Sequence, residues 1–177
     1  MTVIACKVGD DKIFLAADTQ VTKGDCAMPG LKYSKVKRIG ELLIAGSGRC
    51  DEVGLFNSYI KNNVFPLDTD NIPEYMAAFY RYRDSFSEWI KPAPDERAES
   101  GNHYVVIGRG RVFVIGGLAT FELNDGAIYA TGSGEEFAMG VMGFGGTVVD
   151  AVRIACKYDI NCSEPIDYFE IDRIKEG

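Results

Sequence analysis

The order of β-rich runs and amphipathic helical segments restricts the fold of this chain more than any other feature of its sequence. Two pairs of β-rich runs come first, then two helical segments, further strands, two more helices and a closing strand from Tyr168 to Asp172. Turns such as Gly9 to Asp11 and Arg109-Gly110 separate neighbouring strands, as in antiparallel hairpins. This order predicts an α+β sandwich whose helices cover both faces of a mainly antiparallel sheet system.

Apolar side chains recur at helical spacing in the predicted helices. Asp51 is predicted to cap a first helix that runs to about Asn62, and Pro73 opens a second helix that stops at Pro92. The core-facing stripe of this second helix consists of Tyr75, Met76, Phe79, Tyr82, Phe86, Trp89 and Ile90. The length of 177 residues predicts a single domain over residues 1–177, large enough to bury roughly 70% of its unfolded surface.

The charge balance argues against nucleic acid as a partner. Lys and Arg number 19 against 26 Asp and Glu, which gives a formal charge of −7, whereas phosphate backbones select basic surfaces. Apolar stretches such as Val112 to Leu118 are far shorter than the roughly 20 residues that span a bilayer, and no basic leader precedes an apolar segment. We therefore expect a cytoplasmic protein that binds neither nucleic acid nor membrane.

Cysteine and histidine usage narrows the possible chemistry. The five cysteines are an odd number without a C-x-x-C pair, which predicts reduced thiols rather than a disulfide framework or a zinc site. His103 is the only histidine and opens a β-rich run, so a hydrolase with a histidine base would have only this residue to use. The chain has no G-x-x-x-x-G-K-[ST] motif for nucleotide phosphates. We expect no cofactor and no metal.

Thr2 offers a catalyst that needs no histidine. Once Met1 is removed, the threonine hydroxyl is a nucleophile and the α-amino group of the same residue is a base. Within a Met1–Thr2 peptide bond that nitrogen is an amide and cannot accept a proton. Threonine is small enough for removal of the preceding methionine, so we expect activity only after this processing step.

Short motifs of one family occur in order along nearly the whole chain: Thr2-Val-Ile-Ala, Ala16 to Gly24, Lys35-Val36, Ile44-Ala45-Gly46, Gly132-Ser133-Gly134, Ala138 to Met142 and Tyr158-Asp159-Ile160. Through them the chain resembles the proteasome β subunit and HslV family of N-terminal-nucleophile hydrolases, with a length and central loop closer to HslV. It implies a four-layer αββα sandwich with two antiparallel sheets between helix layers. It also implies a threonine peptidase that assembles with itself into stacked homo-oligomeric rings, degrades polypeptides and receives them from an ATP-dependent unfoldase.

The resemblance also implies the catalytic residues. Thr2 matches the nucleophile, and Lys35 matches the lysine beside it, whose ammonium favours deprotonated forms of nearby groups. Asp18 matches the acid that holds this lysine in place. Ser133 matches a hydroxyl that contacts the threonine amine and relays its proton, and Asp159 matches a carboxylate that supports the serine.

Substrate-binding positions follow from the same motifs. Gly46 matches the residue whose backbone N–H faces the oxyanion, where the missing Cβ would let the substrate carbonyl approach. Thr22 and Gly48 match positions that bind an extended peptide as an added strand. Val21, Ile44 and Gly48 would line an apolar first specificity pocket, which predicts cleavage after hydrophobic residues.

Other interpretations remain open at the level of sequence. Asp18 and Lys35 are also compatible with a surface ion pair, and Gly132 to Gly134 with an ordinary turn into a helix. Cys162 stands where many family members carry a serine near the amine, and a thiol is the poorer hydrogen-bond partner. The alternative functions are a catalytically silent, ring-forming structural protein and an amidase of the same superfamily that acts on a small metabolite.

Overall fold

The computed structural model describes residues 2–23, 26–28, 30–31, 33–86 and 101–173. These residues form eleven strands and four helices. In chain order they are β1 (Ile4–Val8), β2 (Lys12–Asp18), β3 (Thr22–Lys23), β4 (Cys26–Ala27), β5 (Val36–Ile39), β6 (Leu42–Ser47), α1 (Cys50–Asn62), α2 (Ile72–Ser85), β7 (His103–Gly108), β8 (Arg111–Gly116), β9 (Ala119–Glu122), β10 (Ile128–Thr131), α3 (Glu135–Gly143), α4 (Val148–Tyr158) and β11 (Ile166–Asp172).

The strands form two main antiparallel sheets and a short ribbon. One sheet has four strands in the order β10-β1-β2-β11, and the other has five in the order β5-β6-β7-β8-β9. Strands β3 and β4 pair only with each other. In the four-stranded sheet Ile4 lies opposite Ala17 on β2 and opposite Thr131 on β10. This register brings the start of the chain beside the ends of two other strands, and the predicted antiparallel pairing is confirmed.

Three apolar clusters stabilise these elements. The first lies between the two sheets and contains Ile4, Leu15 and Val36. The second joins the five-stranded sheet to α1 and α2, and the third joins the four-stranded sheet to α3 and α4. Because side chains alternate along a strand, Ile4 points into the first cluster and Val3 into the third. Both sheets are thus covered by helices on one face.

Most predicted elements are confirmed, with some corrections. Helix α1 begins at Cys50 with Arg49 as its flanking residue, so the prediction of Asp51 as the cap is wrong; its carboxylate instead pairs with the Arg49 guanidinium at 2.7 Å. Trp89, Ile90 and Pro92, predicted to complete the second helix, lie outside the described residues. The sequence did not predict β9 or the β3–β4 ribbon, since runs of two to four residues carry little periodicity. Within the described residues, no helix is long and apolar enough to cross a membrane.

Candidate active site

Thr2, Asp18 and Lys35 meet at the start of β1. The Thr2 hydroxyl donates to Asp18 Oδ1 at 2.6 Å, and Lys35 Nζ donates to the same oxygen at 2.6 Å. The Asp18 side chain is 0% exposed and that of Lys35 is 5% exposed. The surface ion pair considered for Asp18 and Lys35 is therefore wrong. A buried pair of this kind requires close geometry and further hydrogen bonds to offset its desolvation.

Backbone groups supply those further hydrogen bonds. The N–H of Val3 donates to Asp18 Oδ1 at 2.9 Å, and the N–H of Gln20 donates to Oδ2 at 3.0 Å. Ser163 N–H also reaches Oδ2, at 3.4 Å. Since Asp18 N–H donates to the Val3 carbonyl at 3.2 Å, the β1–β2 ladder itself delivers the carboxylate to the start of the chain. The orientation of Asp18 is thus determined by strand pairing.

Ser133, Asp159 and Cys162 form a second group beside Thr2. The Ser133 hydroxyl donates to the Thr2 carbonyl at 3.3 Å and lies 3.9 Å from Cys162 Sγ. Cys162 donates to Asp159 Oδ2 at 3.2 Å, and Asn161 N–H donates to Asp159 Oδ1 at 2.9 Å. The structure therefore brings Ser133 to the main chain of Thr2 and places Cys162 beside both the serine and the carboxylate.

The ionisation of this second group is set by burial and hydrogen bonding. Burial is the largest single influence on Asp159 and raises its pKa, but hydrogen bonds from Ser133, Asn161 and Cys162 lower the pKa below its usual value overall. Burial, together with the nearby Asp18 and Asp159 charges, raises the pKa of the Cys162 thiol far above its usual range. The thiol is thus a neutral donor to a carboxylate.

Two glycines allow the Ser133 turn to approach the chain start. Gly132 has a φ of +102°, and a Cβ there would overlap the Thr2 carbonyl. At Gly134 a Cβ would lie 3.0 Å from the Val3 Cβ and 2.9 Å from that of Ala155. Gly134 N–H donates to the Thr2 carbonyl at 3.3 Å. This turn is an entry into α3, as the alternative interpretation had it, and it also contacts Thr2.

Helix α1 approaches the backbone of Gly46 closely. A Cβ at this position would lie 2.7 Å from Val53 Cγ1, on the side of the strand that faces α1. Close approach of α1 therefore requires a glycine here, and the predicted access for a substrate carbonyl stays a prediction. The N–H of Gly46, the predicted oxyanion donor, donates to the Lys35 carbonyl at 3.2 Å.

The predicted substrate-binding residues lie in different environments. Ile44 is 1% exposed and packs in the cluster shared with α1 and α2, so in this structure it is a core residue rather than part of an open pocket. Val21 and Thr22 are half-buried; the Val21 carbonyl accepts from Met28 N–H at 2.8 Å, and Thr22 pairs with β4. Gly48 is exposed, with a φ of +114°.

Sequence reasoning missed three buried polar residues near these positions. Ser47 Oγ and Thr131 Oγ1 lie 3.0 Å apart in a buried hydrogen bond. Asn102 Oδ1 accepts from Arg49 N–H at 2.7 Å, and a Cβ on Gly48 would overlap this oxygen. Two of them could have been found from the sequence, because each is a polar residue at the end of an apolar strand: Ser47 ends β6 and Thr131 ends β10. No group of three or more His, Cys, Asp and Glu that could hold a metal ion occurs in the part of the chain that the structure describes.

The arrangement of sheets and helices is that of the HslV and proteasome type of fold. Among solved structures, the Thiobacillus denitrificans protein BPH is similar with a TM-score of 0.78 and 17% identity, covering 98% of this chain and 100% of that chain. BPH in complex with epoxomicin is similar with a TM-score of 0.76 and 17% identity, over 96% of this chain and 98% of that one.

HslV from the eukaryote Trypanosoma brucei has a TM-score of 0.65 and 21% identity, covering 97% of this chain and 99% of its own. No protein-family model and no curated protein matches the sequence. The resemblance to the proteasome β subunit and HslV family is thus confirmed in the fold, over nearly the whole chain.

Proposed function

We propose that this chain is the subunit of a self-compartmentalised, proteasome-like threonine peptidase, with Thr2 as the nucleophile after Met1 is removed. The observation that carries the proposal is the buried Asp18 oxygen that accepts from both the Thr2 hydroxyl and the Lys35 ammonium. The similarity of the fold to HslV and to a protein solved with epoxomicin supports it. We further propose that the three apolar clusters separate the layers of a four-layer αββα sandwich.

In the proposed reaction, Thr2 Oγ1 attacks the carbonyl carbon of the scissile peptide bond. The hydroxyl proton passes to the free α-amine of Thr2, either directly or through Asp18, whose Oδ1 lies 2.6 Å from the hydroxyl oxygen. The proton then moves to the departing peptide amine as the C–N bond breaks, which leaves an ester on Thr2. Water hydrolyses this ester and restores the hydroxyl.

The charges around Thr2 fit this sequence of steps. The Lys35 ammonium would stabilise negative charge that develops on the threonine oxygen and favour the neutral form of a nearby amine. We propose that Ser133, with Asp159 and Cys162 beside it, carries the proton relay next to the amine. The Gly46 N–H would donate to the oxyanion only by sharing or exchanging its bond to the Lys35 carbonyl.

We propose that the subunits form stacked homo-oligomeric rings in the cytoplasm, supplied with polypeptides by an ATP-dependent unfoldase. Closed symmetry is the usual arrangement of homo-oligomers. Large apolar side chains on and beside α3 support a subunit contact, because Phe137 is partly exposed and Phe144 is 98% exposed. The cysteines of the described residues are unpaired, as in reducing compartments.

The test is hydrolysis of short fluorogenic peptides by protein whose mass shows that Met1 is absent. We expect turnover of peptides with an apolar residue before the scissile bond and no turnover by the form that retains Met1. Native mass spectrometry of the same sample reports ring size. A Met1-free, ring-forming protein without activity on any such peptide would contradict the proposal.

A catalytically silent, ring-forming protein is the second candidate. The bond between the Gly46 N–H and the Lys35 carbonyl favours it, since this donor is engaged when no substrate is bound. The two candidates share fold and assembly and differ only in whether Thr2 reacts. Covalent labelling of Thr2 therefore separates them.

A further inference from the structure

Two buried polar contacts link the two main sheets near the candidate site: the Asp18–Lys35 ion pair, which joins the end of β2 to the residue before β5, and the hydrogen bond between Ser47 and Thr131. Ser47 Oγ and Thr131 Oγ1 lie 3.0 Å apart, and the two residues are 2% and 1% exposed. Ser47 ends β6 in the five-stranded sheet, whereas Thr131 ends β10 in the four-stranded sheet. Apolar side chains such as Ile4 and Ala45 fill the cluster between the sheets beside this pair. A polar bridge thus stands at one end of an apolar interface.

The Ser47–Thr131 hydrogen bond lies close in the chain to both the Ser133 turn and the strand that carries Gly46. Thr131 pairs with Ile4, and Ile4 lies two residues after Thr2 in the chain. Ser133 lies two residues after Thr131. Ser47 directly follows Gly46, whose N–H donates to the Lys35 carbonyl. A shift of β10 relative to β6 would therefore separate the Ser133 turn from the strand that carries Gly46.

A hydrogen bond at this point restricts the relative position of the two sheets because, unlike apolar packing, it is directional. Apolar contacts are non-directional, so packing alone allows two sheets to slide by fractions of an ångström. A hydrogen bond weakens steeply with distance and angle, and a buried hydroxyl that loses its partner cannot turn to water. The pair consequently favours one relative position of the two strand ends.

We propose that Ser47 and Thr131 form a positioning pair that holds the Ser133 turn and the Gly46 strand at the separation needed for reaction at Thr2. The pair does not touch the reacting atoms, and its effect is exerted through Ser133 and Gly46. This inference rests on the proposed peptidase function for one of its two readouts only.

The first readout is kinetic, in Met1-free protein carrying Thr131→Val, Ser47→Ala or both. Each single substitution is expected to lower kcat about 10–100-fold, the effect of misplacing catalytic groups by about 1 Å, with KM changed by less than about threefold. The double variant is expected to be no worse than the poorer single variant, because the two hydroxyls act as a unit. Thr131→Ser, which keeps the hydroxyl and removes only a methyl group, should recover kcat to within about threefold of the unmodified enzyme.

Thr120→Val is the matched control. Thr120 lies on β9 at the edge of the five-stranded sheet, and its buried hydroxyl makes no hydrogen bond within the described residues. This variant makes the same chemical change in the fold without breaking a bond, and kcat should stay within about twofold. Unchanged kcat in Thr131→Val, additive losses in the double variant, or no recovery in Thr131→Ser would overturn the proposal.

The second readout does not depend on activity. Hydrogen exchange of the Gly46 and Gly134 amides, on the two sides of the bridge, should accelerate about tenfold in Thr131→Val. The Leu123 amide, bonded to the Val112 carbonyl at 2.9 Å, serves as the reference and should not change. If the unmodified enzyme is inactive but both amides respond, the peptidase function fails and the positioning inference stands. If neither amide responds, the inference fails whatever the activity.

Discussion

Thr2 and Lys35 donate to the same oxygen, Oδ1 of the buried Asp18, each at 2.6 Å. A single acceptor thereby fixes the hydroxyl and the ammonium at one point of the fold. Asp18 Oδ1 also accepts from Val3 N–H at 2.9 Å, so loss of the ammonium leaves the carboxylate with hydrogen bonds but without its cation.

Removal of the Thr2 hydroxyl should abolish peptide hydrolysis. We expect Thr2→Ala to lower kcat by about 10³-fold or more, as loss of a covalent nucleophile does, with assembly unchanged. Fluorogenic peptide assays and native mass spectrometry measure the two effects. Thr120→Ala is the control and should keep its activity. Wild-type turnover by Thr2→Ala would disprove the nucleophile assignment.

Loss of Lys35 should be nearly as damaging as loss of Thr2. Lys35→Ala leaves Asp18 buried without its cation, which also costs about 3–5 kcal/mol of stability when a buried pair is broken. Lys37 is exposed, with its Nζ 5.2 Å from the centre of the Tyr33 ring, so Lys37→Ala should have little effect. Activity and thermal unfolding are measured on both. An essential Lys37 with a dispensable Lys35 would mean that the alignment of this segment is wrong.

Covalent labelling should depend on removal of Met1. An epoxyketone inhibitor bonds to both the hydroxyl and the free α-amine of Thr2, so mass spectrometry should show an adduct on the processed protein alone. The α-amine has an ordinary pKa of roughly 7.7–8.0, and an ammonium nearby favours its neutral form. Met1-free protein that forms no adduct would support the catalytically silent alternative.

The free energy of unfolding should depend on pH through the ionisation of Asp159. The pKa of this carboxyl is lower in the folded protein than its ordinary value of 3.8, so its charged form stabilises the fold above that value. This contribution is lost as the pH falls through the lower, folded-state pKa. Thermal unfolding of wild type and Asp159→Asn should therefore differ most near neutral pH and converge as the pH falls below the folded-state pKa. A difference that stays constant over this range would contradict the assignment.

Two glycine-to-alanine substitutions should act in opposite directions. Gly48 has a φ of +114° and its Cβ would overlap Asn102 Oδ1, so Gly48→Ala should destabilise the protein by more than about 1 kcal/mol. Gly54 lies within α1 with no atom within 4 Å of an added Cβ, so Gly54→Ala should stabilise by about 0.5–1 kcal/mol. Denaturant unfolding of both variants is the measurement. Equal effects would show that the corner after β6 is not constrained.

Local patterns were sufficient for most of the secondary structure. The predicted turn at Arg109-Gly110 does join two antiparallel strands, β7 and β8. The apolar recurrence predicted for the helices is also present in α4, where Val148, Ala151, Val152 and Ala155 are buried. The family motifs predicted that Thr2, Asp18 and Lys35 belong together, and the structure brings them within hydrogen-bond distance.

The sequence did not predict which face of a strand each residue occupies or which element packs against that face. The sequence indicated a glycine at position 46 and an apolar residue at position 44, but not that both point toward α1. Strand periodicity states which residues share a face and leaves open which element covers that face. The structure therefore adds a packing reason for Gly46 and places Ile44 in the core, while the roles of both residues toward a substrate stay predictions.

The sequence by itself determined the order of the longer strands and helices and their antiparallel pairing, and its family motifs singled out Thr2, Asp18 and Lys35. Only the tertiary structure decided that Ser47 meets Thr131 across the two sheets and that Asn102 holds the Arg49 backbone. Ser47 and Thr131 are 84 residues apart in the chain. The physical reason is that hydrogen bonds are made at about 3 Å, a distance that depends on how whole sheets pack and that no local periodicity contains.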